Sequence, residues 1–314
     1  MNDAHYVVTG GAGFIGSHLV DALIVLNHRV VVLDDFSTGK RENLRAVAKS
    51  SKLQVIDGDI RNMDVVMDVS RNAKGIFHLA ALVSVQRSIE NPQLSFDINV
   101  RGAINVLEAS RMHNVPRMVF ASSAALYGDA GAPVSEQMGG MKMLSPYALD
   151  KLVIEQYGAL YGELYGISTT ALRYFNVYGS RQDSNSPYSG VISIFAEKIR
   201  SGSEIGIYGD GEQTRDFIHV SDVVQANLAA MESNRMGAQV FNVGTGTATS
   251  INRLVEVLST IADRRVAPGF LPARHGDIRY SMADISLIRE RLGFEPKIGL
   301  TRGLRELVAS LAGP

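Results

Sequence analysis

Mostly apolar runs of strand length alternate along this chain with longer stretches in which apolar residues return every third or fourth position. The short runs lie at 5–9, 29–33, 53–56, 75–79, 117–121 and 168–173. Between the first two, Ile15, Leu19, Leu23 and Leu26 fall on one helical face, and Leu94, Ile98, Ile104 and Leu107 do the same within a helix expected over 91–113. Continuous apolar strands that alternate with helices predict a parallel sheet covered on both faces. The expected fold is α/β, a doubly wound parallel sheet with a smaller C-terminal α/β domain. The pattern divides the chain into 1–175 plus about 220–245 for the sheet domain and 176–219 plus 246–314 for the smaller one. In the smaller domain, Gly209-Asp210-Gly211 reads as a hairpin turn and 251–262 as an amphipathic helix.

The first strand runs into Gly10-Gly11-Ala12-Gly13-Phe14-Ile15-Gly16, and the second ends in Asp34-Asp35. A glycine-rich turn between strand and helix, with an acid about 20 residues on, is the pattern of a dinucleotide site in a Rossmann sheet. Gly10 permits the tight turn, Gly13 lets a pyrophosphate approach the helix N-terminus, and Gly16 lets the helix lie close to the sheet. Asp34 would bind adenosine ribose hydroxyls, and its charge would repel a 2′-phosphate, so NAD is expected rather than NADP.

Composition narrows the partners. The chain has 314 residues, 46% of them hydrophobic, which is ample for a large core. Its net charge of −1 supplies no field for nucleic acid or anionic membrane. With no cysteine, disulfides, thiolate metal sites and cysteine nucleophiles are excluded, and no metal site is expected. No apolar run reaches the roughly 20 residues that span a bilayer, and the strand-like Tyr6-Val7-Val8 stands where a leader would. A soluble, cytoplasmic protein is expected.

The candidate chemistry sits in Ser145-Pro146-Tyr147-Ala148-Leu149-Asp150-Lys151. On a helix, Tyr147 and Lys151 share a face one turn apart. A phenol with a pKa of about 10 is a poor base at neutral pH, and a neighbouring ammonium favours the phenolate. Lowering that pKa by about three units takes roughly 4 kcal/mol of differential interaction. A second cation, such as an oxidised nicotinamide, would help. The spacing alone is also that of any solvated helix face.

The glycine spacing G-x-x-G-x-x-G within TGGAGFIGSH, with Tyr-x-x-x-Lys roughly 130 residues downstream, resembles the extended short-chain dehydrogenase/reductase family. The resemblance implies cofactor contacts at Gly10, Gly13, Phe14, Ile15 and Gly16. It adds Asp34 with the following Asp35, Phe36, Ser37, Thr38 and Gly39, then Asp59 and Ile60, Leu79, Ala80 and Ala81, and further on Asn99, Ser122, Tyr147, Lys151 and Phe175. Asp59 could also be the N-cap of a helix over 63–69. The stretch from Ser122 to Gly128 resembles the family's serine motif. Ser123 matches its catalytic serine, with Ser122 as the rival. Sugar-nucleotide dehydratases carry an acid just after this serine to expel water, whereas Ala124 and Ala125 stand here. That implies chemistry with one proton shuttle and one hydride.

Arg215-Asp216-Phe217-Ile218-His219-Val220 resembles the R-D-[FY]-I-H-V signature of nucleotide-sugar epimerases and dehydratases. Arg215 would grip a diphosphate, as a planar guanidinium suits, or else form a surface ion pair with Asp216. Substrate contacts are implied at Ser84, Ser123, Tyr147, Asn176, Arg215, Arg274, Asp277 and Ser281. Family members that handle only plain hexoses carry a tyrosine where Ser281 stands, so the small side chain implies room for an N-acetyl group. The chain looks most like UDP-N-acetylglucosamine 4-epimerases, which implies a UDP-sugar substrate, NAD and a homodimer. The alternatives are another sugar-nucleotide oxidoreductase, a UDP-glucuronate 4-epimerase, or a non-enzymatic dinucleotide-binding module on the same fold.

Overall fold

The computed structural model of the chain describes residues 4–140, 143–183, 190–264, 267–273 and 278–311. From its start the chain runs through β1 (His5–Thr9), α1 (Phe14–Val25), β2 (Val30–Asp34), β3 (Leu53–Asp57), α2 (Met63–Ser70), β4 (Ala73–His78), α3 (Val85–Glu90) and α4 (Pro92–Phe96). It continues through α5 (Gly102–Met112), β5 (Arg117–Ser123), α6 (Pro146–Tyr165), β6 (Ser168–Tyr174), β7 (Asn176–Tyr178), α7 (Val191–Ser201), β8 (Gly206–Tyr208), β9 (Thr214–Arg215) and β10 (Phe217–His219). The remainder is α8 (Val220–Glu232), β11 (Ala238–Val243), β12 (Thr249–Ser250), α9 (Ile251–Ile261), β13 (Gly269–Leu271), α10 (Ser286–Leu292) and α11 (Leu300–Leu311).

Seven strands form one sheet in the order β11-β6-β5-β4-β1-β2-β3. β1 pairs in parallel with β2 on one side and β4 on the other. The strand order therefore reverses at β1, and an open sheet takes its ligand in the crevice at such a switch point. The turns after β1 and β4 meet there, where Leu79 N donates to Thr9 O at 3.1 Å and Ala80 N to Thr9 Oγ1 at 3.3 Å. The strands are apolar throughout because helices cover both faces: Val7, Leu33, Ile76 and Phe120 pack with Leu107 of α5 and Ile154 of α6 in one buried core.

The chain divides into two compact units. One comprises residues 1–126, 145–173 and 224–241, and the other 127–144, 174–223 and 242–314. The sequence pattern had put 127–144 with the sheet, but the structure groups this stretch with the second unit. Its hydrogen bonds explain why: Val134 N donates to Met282 O, Asn242 Nδ2 to Val134 O, and Asn242 N to Glu136 Oε1. The second unit has its own core, in which Phe195 and Ile199 of α7 meet Leu254 and Leu258 of α9 and Leu304 of α11.

Two local expectations differ from the structure. The helix over 91–113 is interrupted: α4 and α5 are joined by a π turn at Asp97–Arg101. Such single wide turns recur at functional sites, and this one carries Asn99. The hairpin at Gly209-Asp210-Gly211 is not formed, since β8 pairs in parallel with β13 and β9 pairs antiparallel with β12. The loop is bound instead to α9, with Asn252 N donating to Gly211 O and Asn252 Nδ2 to Asp210 O. Among the described residues, no helix is long and apolar enough to cross a membrane.

Candidate active site

The turn after β1 is built by contacts that exclude side chains. Gly10 holds φ +68°, and a Cβ there would lie 2.7 Å from Ala80 N. A Cβ on Gly16 would lie 2.1 Å from Gly10 O, so the helix can pack this close only with glycine. α1 begins at Phe14 with Gly13 as N-cap and no side chain capping it, and its first helical bond is Ser17 N to Gly13 O. The N–H groups of Phe14, Ile15 and Gly16 come before that bond, as an anion site requires.

Asp34 ends β2, buried, and accepts from Ala12 N at 2.8 Å and Phe36 N at 2.9 Å. Burial pushes its carboxyl above the ordinary value, against the pull of these two N–H groups. A carboxylate offers about four acceptor sites, so two remain for ribose hydroxyls. Phe36 turns the chain with φ +54°, Asp35 receives Ser37 N and Oγ, and Gly39 passes so near that a Cβ would meet Asp34 Oδ1 at 2.6 Å. The donor set and the space fit NAD. Asp59 is not the N-cap of α2; that is Asn62, which receives Asp64 N, while Asp59 chelates Arg61. The Ile60 side chain is buried against Gly102, whose Cβ position lies 2.6 Å from it.

α6 starts as its sequence dictates. Ser145 caps it by accepting from Ala148 N, Pro146 takes the first turn, and Tyr147 N donates to the buried Ser88 Oγ. Tyr147, Lys151 and Glu155 then recur every four residues on one face. Each meets the end of β5 or the strand beside it. Ser123 stands beside the Tyr147 phenol and pulls its pKa down. Lys151 Nζ donates to Ala121 O at 2.8 Å and lies 5.8 Å from the Tyr147 ring centroid. Glu155 accepts from Ser122 Oγ at 2.5 Å and from Arg173 Nε at 2.9 Å and NH2 at 2.6 Å. Ser122 is thus turned onto Glu155, while Ser123, whose Oγ accepts from Ala125 N at 3.1 Å, stands beside Tyr147.

Burial pushes the Tyr147 phenol above its ordinary value, with Ser123 pulling it down and the Asp150 charge adding to the rise. The second cation invoked from the sequence would act against this rise. Burial also lowers Lys151 to about 8, against the opposing pull of Asp150 and Glu155. Asp150 Oδ2 receives Ser95 Oγ at 2.5 Å and Asn99 Nδ2 at 3.3 Å. Asn99 also clamps the backbone of Leu82 through both ends of its amide, which fixes the segment after β4. Ser84 is the N-cap of α3 and receives Arg87 N. His78 is a buried structural residue bonded to Thr9 Oγ1 at 2.8 Å and kept neutral, its pKa lowered to about 3 by burial. Glu155, Arg173 and Asp150 escaped the sequence reading, though a glutamate four residues past Lys151 on the same face is a visible signal.

In the second unit the two remaining motifs pair as strands: β7 lies parallel to β10, with Asn176 opposite Phe217 and Tyr178 opposite His219. Asn176 N donates to Asp216 O, and Phe175 is buried with its ring 6.1 Å from that of Tyr127. Asp216, fully buried, receives Thr245 N and Oγ1, Gly246 N and Ala283 N. Arg215 NH1 donates to Ile278 O at 2.7 Å, and Ser281 N donates to Thr214 O at 3.2 Å, so Ser281 runs beside the strand that bears Arg215. His219 Nδ1 caps Ser221 N, while Asp222 receives Lys297 N and Ile298 N. Arg274 and Asp277 lie outside the described residues.

Comparison with known proteins gives one family. The family model described as NAD dependent epimerase/dehydratase family matches residues 6–244. A relative from Methanocaldococcus jannaschii named putative UDP-glucose 4-epimerase is 40% identical over 304 residues, covering 96% of each chain. A solved structure of UDP-N-acetylglucosamine 4-epimerase from Methanobrevibacter ruminantium, in complex with UDP-N-acetylmuramic acid, superposes with a TM-score of 0.94 at 39% identity, covering 99% of both chains. UDP-glucose 4-epimerase from Thermotoga maritima with UDP-glucose superposes with a TM-score of 0.92 at 37% identity, covering 98% of both.

Proposed function

The chain belongs to the NAD dependent epimerase/dehydratase family, and we propose that within it this protein interconverts UDP-hexoses epimeric at carbon 4, N-acetylated hexoses included. The observation that carries the reading is the placement of Lys151 and Ser123 beside the Tyr147 phenol, with alanine at both positions that follow the serine. A single phenol and its hydroxyl partner can move one proton. An elimination of water needs a second acid, and Ala124 and Ala125 supply none.

The residues divide the work. Gly10, Gly13 and Gly16 admit the pyrophosphate of NAD, and Asp34 takes the adenosine ribose. When bound, NAD supplies a reversible hydride acceptor at carbon 4 and, oxidised, a positive charge. That charge offsets the burial that holds the Tyr147 phenol protonated. As phenolate, Tyr147 accepts the proton of the 4-hydroxyl, with Ser123 donating to the same sugar oxygen and Lys151 balancing the charge. The same phenol returns the proton once the 4-keto sugar has presented its other face. Arg215 is proposed to hold the diphosphate throughout.

The N-acetyl preference rests on Ser281. Its backbone is bound to β9 beside Arg215, and its hydroxymethyl side chain is far smaller than a tyrosine ring. The relatives at 40% identity are named UDP-glucose 4-epimerases, so plain hexoses belong to the proposed range as well.

Tyr147→Phe tests the chemistry. It should cut turnover by about 10²- to 10⁴-fold while NAD stays bound to the purified protein. A variant with near wild-type turnover sinks the proposal.

A further inference from the structure

The catalytic helix carries a third ionisable group that the mechanism above does not use. Glu155 is buried one turn beyond Lys151, and the buried Arg173 of β6 closes on it through two nitrogens. Water does not screen this pair, because both side chains are about 95% or more covered: 5% of Arg173 and 3% of Glu155 is exposed. Glu155 also holds the Ser122 hydroxyl. Three consecutive β5 residues therefore meet one helix face: the Ala121 carbonyl receives Lys151, Ser122 donates to Glu155, and Ser123 stands beside Tyr147.

We propose that Glu155 and Arg173 are positioning residues for the reaction, a buried ion pair that turns Ser122 away from Tyr147 and keeps the site next to Lys151 electrically balanced. The inference rests on the epimerase reading for its assay. A buried ion pair contributes little to stability compared with apolar side chains of the same volume, so its value lies in what its charges do to neighbours. The groups facing Lys151 define that neighbourhood. On its own helix these are Tyr147, Asp150 and Glu155. From β4 there is His78, which stays neutral. From α4 and the π turn, Ser95 and Asn99 approach through Asp150. From β6, Arg173 acts through Glu155.

Removing one charge of the pair makes the site more positive or more negative, and both Tyr147 and Lys151 must answer in the same direction. Glu155→Gln keeps an acceptor for Ser122 but removes one negative charge from the site. Lys151, on which the Glu155 charge acts directly, then titrates lower, and Tyr147, two turns away, moves the same way by less. Arg173→Gln does the opposite. Glu155→Gln combined with Arg173→Gln restores balance, and Arg173→Lys preserves it.

The test is the pH profile of kcat for UDP-hexose epimerisation in wild type and these four variants, with circular dichroism to confirm folding. The expected result is a whole profile that slides to lower pH in Glu155→Gln and to higher pH in Arg173→Gln, and that stands at the wild-type position in the double variant and in Arg173→Lys. If either single variant fails to fold, the other carries the same sign test. Should both fail, a displaced profile in Arg173→Lys overturns the proposal and an unmoved one beside a restored double variant sustains it. Profiles that lose height without moving in the single variants overturn it, since a purely structural pair predicts that. If the wild type epimerises nothing, the functional reading fails by itself. The pair is then read from the tyrosinate absorbance of each variant, taken as a difference against the same variant carrying Tyr147→Phe, where the same opposite shifts are expected.

Discussion

Ser122 Oγ lies 2.5 Å from Glu155 Oε1, which leaves Ser123 as the proposed partner of Tyr147. With Ser122 committed to Glu155, the hydroxyl beside Tyr147 is that of Ser123. Ser123→Ala should lower kcat by tenfold or more, on the order of the general acid–base contributions known for such groups. Ser122→Ala should cost less in kcat and more in thermal stability, because it strips a partner from a buried carboxylate. Steady-state kinetics with thermal melts on both variants checks the order, and a larger kcat loss in Ser122→Ala would reverse the assignment.

The pH dependence follows from Lys151. Its ammonium titrates at about 8 in the folded chain, below the usual lysine value, because it is buried. As pH rises through that value the charge beside Tyr147 disappears and the phenolate loses its balance. Activity should therefore fall on the alkaline side, with the limb of kcat/KM near pH 8, where the free protein is reported. Lys151→Met should remove this limb together with most of the turnover. A wild-type profile flat to pH 10 would contradict the role given to the ammonium.

Ser281 carries the substrate range. Ser281→Tyr places a ring beside the strand of Arg215, and discrimination by pocket filling is worth roughly 10- to 200-fold. The variant should lose that much kcat/KM on UDP-N-acetylglucosamine while keeping most of it on UDP-glucose. Equal losses on both sugars would remove the argument from side-chain volume.

Leu160, Leu164 and Tyr165 of α6 are 49%, 67% and 50% exposed, with Phe96 of α4 at 52%. Large apolar side chains grouped on a surface mark an interface, and a second copy of this chain is the proposed occupant. Light scattering should give the mass of a dimer for wild type and of a monomer for Leu164→Glu. A monomeric wild type contradicts the proposal.

Local chemistry was legible in the sequence, and tertiary pairing was not. The glycine turn, the Asp34 end of β2 and the Ser145-Pro146 start of α6 follow from steric and capping rules that act within a few residues. The π turn at Asp97–Arg101 has no periodicity of its own, because Leu94 and Ile98 keep helical spacing across it. The choice between Ser122 and Ser123 depends on which α6 side chains are brought against the end of β5, a fact of packing. The attachment of 127–144 to the second unit rests on hydrogen bonds to Met282 and Asn242, more than 100 residues away in sequence. The Glu155–Arg173 pair joins a helix to a strand whose adjacency only the sheet order reveals.

The central claim is tested most directly by incubating the purified protein with UDP-N-acetylglucosamine and no added cofactor, and resolving the products by NMR. The account predicts UDP-N-acetylgalactosamine at an equilibrium mixture, with no net change in nicotinamide absorbance. Conversion of UDP-glucose alone would keep the chemistry of Tyr147 and discard the inference from Ser281. No conversion of either sugar, with Tyr147, Lys151 and bound NAD all in place, would contradict the account.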